Sequence, residues 1–217
     1  MNENSSKQVL LSVIGIAVLV VAVVGVSFAF FTYSKTGETN NTLTTGSIFF
    51  NFTEGNAINL TNEFPRTDDS GKSLTKGANG ALEFSVVGYD GSSKGIEYTV
   101  YALPGTPETG KTRFQDSQIK LYLEANSSNS STINNNFATP TKISSLTDTG
   151  LELATGKITA TDSGSQQTDT YTLRMWISSD VTIGEGKNYT TTDFGKLYYS
   201  LKLKVVAATT GTAQPGV

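Results

Sequence analysis

Apolar residues recur at every second position over most of this chain, a spacing that commits it to β-strands with one buried face each. The clearest run places Leu197, Tyr199, Leu201, Leu203 and Val205 on one face and Lys196, Tyr198, Ser200, Lys202 and Lys204 on the other. The same alternation runs through Ile48, Phe50 and Phe52, then Leu82, Phe84 and Val86, then Ile96, Tyr98 and Val100. It continues through Ile119, Leu121 and Leu123, through Leu151 and Leu153 toward Ile158, and through Tyr171, Leu173, Met175 and Ile177. A short strand over 57–60 completes a set of about eight. Turn-forming clusters such as Asp68-Asp69-Ser70-Gly71 and Asp90-Gly91-Ser92-Ser93 separate them. The expected fold is all-β, a two-sheet jelly-roll-like sandwich over residues 46–208 with a flexible tail at 209–217. The polar stretches 126–145 and 179–193 lack periodicity and read as surface excursions rather than domain linkers.

Composition then removes chemistry. The 217 residues carry Lys+Arg 16 against Asp+Glu 19, a net charge of −3, which argues against a nucleic-acid partner. Histidine and cysteine are both absent, so the usual zinc ligands, general base, thiol nucleophile and disulfides are missing together. No catalytic, cofactor-binding or metal site is expected, and oxygen-only calcium ligation has no EF-hand spacing to support it.

The N-terminus reads as an export element. Residues 9–31 are apolar except for Ser12, Gly15, Gly25 and Ser27, long enough to enter a membrane as a hydrophobic helix. Ser27 and Ala29 are small residues two apart ahead of Phe30, the pattern that a signal peptidase reads, so residues 1–29 are expected to be a signal peptide. An uncleaved membrane anchor is the alternative, because the run is long and its basic flank is only Lys7.

Several motif matches dissolve in context. Residues 105–112 fit G-x-x-x-x-G-K-[ST], yet a strand rather than a helix is expected to follow. Gly91-Ser92-Ser93-Lys94-Gly95 fits a nucleophile elbow but has no histidine to take the serine proton. A Ser73/Lys76 dyad would need a desolvated lysine on a helix, whereas the neighbouring glycines predict a turn. Leu103-Pro104-Gly105-Thr106 looks like a sorting signal but lies mid-chain without an apolar segment after it. Phe49, Tyr101, Tyr122, Trp176 and Tyr198, on outward positions, could form a glycan-binding platform or ordinary cross-strand pairs.

The order Ser27-Phe28-Ala29-Phe30-Phe31, Thr42-Leu43-Thr44-Thr45-Gly46-Ser47-Ile48 and Asn56-Ala57-Ile58-Asn59-Leu60-Thr61-Asn62 resembles the TasA/camelysin family of exported bacterial biofilm-matrix fibre proteins. The likeness extends through Lys72-Ser73-Leu74-Thr75-Lys76 and Leu82-Glu83-Phe84, and returns at 171–177 and 195–206. It implies removal of the N-terminal segment by a dedicated signal peptidase. It also implies a jelly-roll subunit that polymerises when its freed N-terminal strand completes the next subunit's sheet. Metallopeptidase activity ascribed to some members would need an H-E-x-x-H site, which a histidine-free chain cannot supply.

The residues themselves agree with such assembly. Phe30, Phe31, Thr32, Tyr33, Ser34, Lys35 and Thr36 are rich in β-formers, and residues 37–45 read as a flexible linker. The segment is therefore expected to lack a local partner and to add, as a donor strand, to the sheet edge of another copy. Other copies of the chain, the signal peptidase and the membrane met by 9–31 are the expected partners. The competing expectation is a membrane-anchored surface adhesin, a module binding a glycan or a protein, with 30–36 as its stalk.

Overall fold

The computed structural model describes residues 13–18, 32–36, 41–45, 48–54, 58–75, 77–126, 131–133, 137–184, 187 and 189–209. The expected cleavage residues Ser27, Ala29 and Phe30, and Phe31 of the donor segment, lie outside this set. Of the apolar run, residues 13–18 are described and are helical. Among the described residues no helix is long and apolar enough to cross a membrane.

The strands are β1 (Thr32–Thr36), β2 (Asn41–Thr45), β3 (Ile48–Glu54), β4 (Ile58–Thr61), β5 (Ala81–Asp90), β6 (Ile96–Pro104) and β7 (Thr112–Arg113). They continue as β8 (Ile119–Ala125), β9 (Ser131–Ile133), β10 (Thr141–Lys142), β11 (Leu151–Ile158), β12 (Gln167–Ile177) and β13 (Leu197–Thr209). Two short helices, α1 (Asp68–Lys72) and α2 (Thr191–Phe194), and a 3-10 turn at Asp116–Gln118 sit between them. One sheet has the order β1-β13-β6-β11-β9 with β4 and β7 also on β13; the other runs β10-β8-β12-β5-β3-β2. Pairing within the sheets is antiparallel except for β7, which lies parallel to β13.

The long strands match the alternation. β5 is half-buried and buried in strict turn, with Leu82, Phe84 and Val86 inside. β13 sends Leu197, Tyr199, Leu201, Leu203, Val205 and Ala207 into the core shared with Phe50, Phe52, Leu121, Tyr171 and Leu173 of the facing sheet. Each leucine, valine and phenylalanine among them contributes about 1.5–3 kcal/mol by leaving water, which makes the inter-sheet core the main stabilising term.

Four expectations need correction. Among the described residues the strands number thirteen: beside the expected eight stand β1, β2 and the two- or three-residue β7, β9 and β10, which are too short to show a period. The stretch 126–145 contributes β9, β10 and the buried Phe137 and Ile143, so it is partly core. The expected turn at Asp68-Asp69-Ser70-Gly71 is helix α1, capped by Thr67, whose hydroxyl accepts from the Ser70 amide, with Asp68 and Asp69 in the first turn. The linker expected over 37–45 includes β2, paired to β3 from Asn41↔Phe52 to Thr45↔Ile48.

A polar group bridges the two sheets inside the core. Tyr98 of β6 donates to the Asp169 carboxylate of β12, and its hydroxyl lies 2.7 Å from that of Tyr171. Gln167 Nε2 donates to Asp169 (3.2 Å to Oδ1) and to the Lys157 carbonyl (2.8 Å). Burial first, then the neighbouring Tyr171 and Asp169, pushes the Tyr98 phenol far above the ordinary tyrosine range, so it remains a donor.

At the surface, Lys142 of β10 meets Asp180 at 2.5 Å. The hydrogen bond from Lys142, with one from Ser178, lowers the Asp180 carboxyl to about 2 from its ordinary 3.8. Because the folded value is depressed, the pair's contribution to stability is present above pH 3.8 and is lost as pH falls through about 2. The Lys142→Ala variant should return Asp180 toward its ordinary value in a carboxyl-carbon NMR titration. The pair is exposed, so the accompanying stability change should be small.

Candidate functional site

β13 is thirteen residues long and is covered along both edges by strands shorter than itself. On one edge β6 pairs from Leu201↔Pro104 to Thr209↔Ile96, and β7 continues the cover at Leu197 and Tyr198. On the other edge β4 covers Tyr198 to Leu201 and β1 covers Lys204 to Ala208.

The expectation that the donor segment has no local partner is therefore corrected. β1 pairs within its own chain, in the register Thr32↔Ala208, Tyr33↔Ala207, Ser34↔Val206, Lys35↔Val205 and Thr36↔Lys204. A long-range antiparallel partner leaves no trace near residue 32, which is why local sequence could not show it. β1 is the outermost strand of its sheet, with β13 as its one strand neighbour among the described residues. The next strand, β2, belongs to the opposite sheet, so only residues 37–40 separate β1 from a crossing between the layers.

A backbone hydrogen bond nets about 1 kcal/mol, while ordering a residue costs about 1–2 kcal/mol, so pairing alone does not fix a five-residue edge strand. A strand of identical sequence from another copy would restore the same rungs.

The rejected motifs lie where their context placed them. Residues 105–112 lead from β6 into β7, so a strand and not an α-helix follows directly. Lys111 is held by Glu108 at 2.7 Å, and Glu108 also accepts from Thr61 Oγ1 at 2.8 Å. Those two hydrogen bonds, Lys111's first, hold the Glu108 carboxyl below its ordinary range and tie the loop to β4. Ser92 donates its hydroxyl to Asp90 Oδ2 at 2.9 Å within the β5–β6 turn, so it is a turn residue. Leu103 is buried and Pro104 ends β6. Ser73 caps the C-terminus of α1, and Lys76 lies outside the described residues. Asp68 pairs with Lys120 at 2.7 Å. Among the described residues no group of three or more acidic side chains could hold a metal ion.

The aromatic platform does not form. Phe49, Tyr122 and Trp176 belong to one sheet and Tyr101 and Tyr198 to the other. Phe49 stacks on Tyr89 at 5.9 Å, and Arg174 lies over Tyr122 at 5.6 Å. Trp176, Tyr101 and Tyr198 are buried, Trp176 directly beneath Gly71 of α1.

One cluster had no sequence signal. The Arg113 guanidinium sits 4.2 Å over the Tyr199 ring and 2.7 Å from Asp116 Oδ1. Tyr199 donates to that same oxygen at 2.7 Å, and Asp116 Oδ2 accepts from the Leu146 amide at 2.7 Å. Burial, then the bond to Asp116, raises the Tyr199 phenol out of its usual range. The cluster ties β7, the 3-10 turn and the 146 loop to β13, and it leaves Arg113 Nε and Nη2 buried without a hydrogen bond.

Fold and site together define a two-sheet β-sandwich whose N-terminal strand is held at a sheet edge by a single neighbour. Set against known proteins, the chain matches no family model, no curated protein and no solved structure.

Proposed function

We propose that this chain is an exported structural subunit that assembles head to tail into extracellular fibres by exchanging β1 between copies. The observation that carries the reading is the position of β1: first of the strands in sequence, outermost in its sheet, and paired to β13 alone among the described residues. When β1 leaves, residues 204–208 of β13 become an open edge, and the β1 of a neighbour fits it in the same register. Addition of this kind is heterologous and does not close, so it yields a filament.

Further support comes from connectivity. Apart from β2–β3 and β6–β7, each successive strand falls in the opposite sheet, a winding in keeping with a jelly roll. The TasA/camelysin likeness leads to the same mechanism, with the segment ending at Ala29 removed on export and no enzymatic step in the subunit.

The direct test removes residues 30–36. Electron microscopy should show no fibres, while circular dichroism retains the β signal, because the core residues lie from Ile48 onward. Lys111→Ala, whose side chain only closes a loop onto Glu108, should assemble normally. Normal fibres from the deletion variant would overturn the proposal and leave 30–36 as a stalk.

A further inference from the structure

The chain contains one Asn-Gly pair, Asn79-Gly80, and one Asp-Gly pair, Asp90-Gly91. They flank the same strand, β5. At such pairs the glycine backbone nitrogen can reach the preceding side-chain carbonyl carbon, because no Cβ crowds the approach. The structure treats the two very differently.

Asp90 is fully buried, and both carboxylate oxygens are engaged: Oδ1 by the Ser92 amide at 2.8 Å, Oδ2 by Ser92 Oγ at 2.9 Å and the Gly95 amide at 2.7 Å. Burial raises its pKa, but these hydrogen bonds outweigh burial and leave it below the ordinary range. A hydrogen-bonded carboxylate is a poor electrophile, so this pair is held inert. Asn79 is exposed, and among the described residues its side chain makes one hydrogen bond, from Nδ2 to Glu63 Oε1 at 2.9 Å. That bond holds the nitrogen that would leave and not the carbon that would be attacked.

Glycine at 80 is required by the fold. Its φ is +83°, and a Cβ there would lie 2.2 Å from the Met175 carbonyl oxygen. Its own carbonyl accepts from the Met175 amide at 2.7 Å, just before the β5–β12 ladder. The reactive pair thus cannot be relieved by substituting its second member.

We propose that Asn79 is a site of spontaneous deamidation that ages the folded protein. The Gly80 nitrogen attacks Asn79 Cγ, closing a five-membered succinimide; the Cγ–Nδ2 bond breaks, and Nδ2 leaves as ammonia carrying the proton from the Gly80 N–H. Water then opens the ring at one carbonyl or the other, giving aspartate or isoaspartate at this position. Either product replaces a donor to Glu63 with a second carboxylate at hydrogen-bond distance, beside the Glu63–Arg66 pair at 2.8 Å. Isoaspartate also adds a methylene to the main chain immediately before the Gly80–Met175 bond.

The test incubates folded full-length protein in warm, mildly alkaline buffer and maps its peptides by mass spectrometry, with isoaspartyl methyltransferase labelling as a second readout. The peptide holding Asn79 should convert fully from amide to acid and resolve into two isomers, while the peptide holding Asp90 stays single. Melting temperature should fall with the extent of conversion. Asn79→Gln, whose ring closure is six-membered and slow, should hold its melting temperature over the same period. Retention of the Asn79 amide in the folded protein, under conditions where the urea-unfolded chain converts, would overturn the proposal.

Discussion

A disulfide between positions 34 and 206 should abolish fibre formation under oxidising conditions, and reduction should restore it. Ser34 and Val206 are direct partners in the β1–β13 register. Directly opposed residues of antiparallel strands lie about 4.5–5.5 Å apart at Cα, inside the range that a disulfide spans. The chain has no cysteine of its own, so a Ser34→Cys, Val206→Cys pair has no competing thiol. Closing β1 onto its own β13 leaves the sandwich intact but withholds the donor and the acceptor edge from other copies together. Each single-cysteine variant should assemble like the parent, which separates the lock from damage by substitution. Electron microscopy with and without reductant reads the result. Fibres from the oxidised protein would show that assembly proceeds without strand exchange.

Much of the fold was legible in the sequence, while the proposed site was only half so. The core faces of β5, β12 and β13 follow from alternation, a local property carried by neighbouring residues. The pairing of Tyr33 with Ala207 joins opposite ends of the chain, and no local pattern encodes it. The sequence therefore marks 32–36 as a strand without showing where its partner lies.

Helix α1 shows a different failure. The cap signature was present, with Thr67 followed by Asp68 and Asp69 and with Lys72 in the last turn, but Gly71 argued for a turn. Glycine is there for packing: a Cβ at 71 would lie 2.2 Å from the Trp176 indole. The same contact buries Trp176, which alternation had placed correctly on the outward face and which was then taken for a candidate binding surface. Alternation reports which way a side chain points, and it is silent on what later folds over it.

Gly156→Ala should be among the most destabilising single substitutions in the sandwich, lowering stability by about 3–5 kcal/mol. The new Cβ would sit 2.2 Å from both Cζ and the hydroxyl oxygen of Tyr98. A flexible surface side chain could move aside, but Tyr98 is 2% exposed, packs on Phe50 at 6.2 Å and is bonded to Asp169 and Tyr171. If the ring retreats, Asp169 loses a donor at a fully buried position; if it stays, β11 must shift away from β6. Both routes carry a cost, which is why the estimate exceeds that of simple overpacking. The contrast is Gly195→Ala, at a position with φ −65° and no neighbour nearer than 4.0 Å, which should be neutral or slightly stabilising by restricting the unfolded chain. For a sandwich of this size the Gly156→Ala loss corresponds to a fall of about 10 °C in Tm, measurable by circular dichroism. A Gly156→Ala protein that melts with the parent would show that the Tyr98–Asp169–Tyr171 group does not bind the two sheets together.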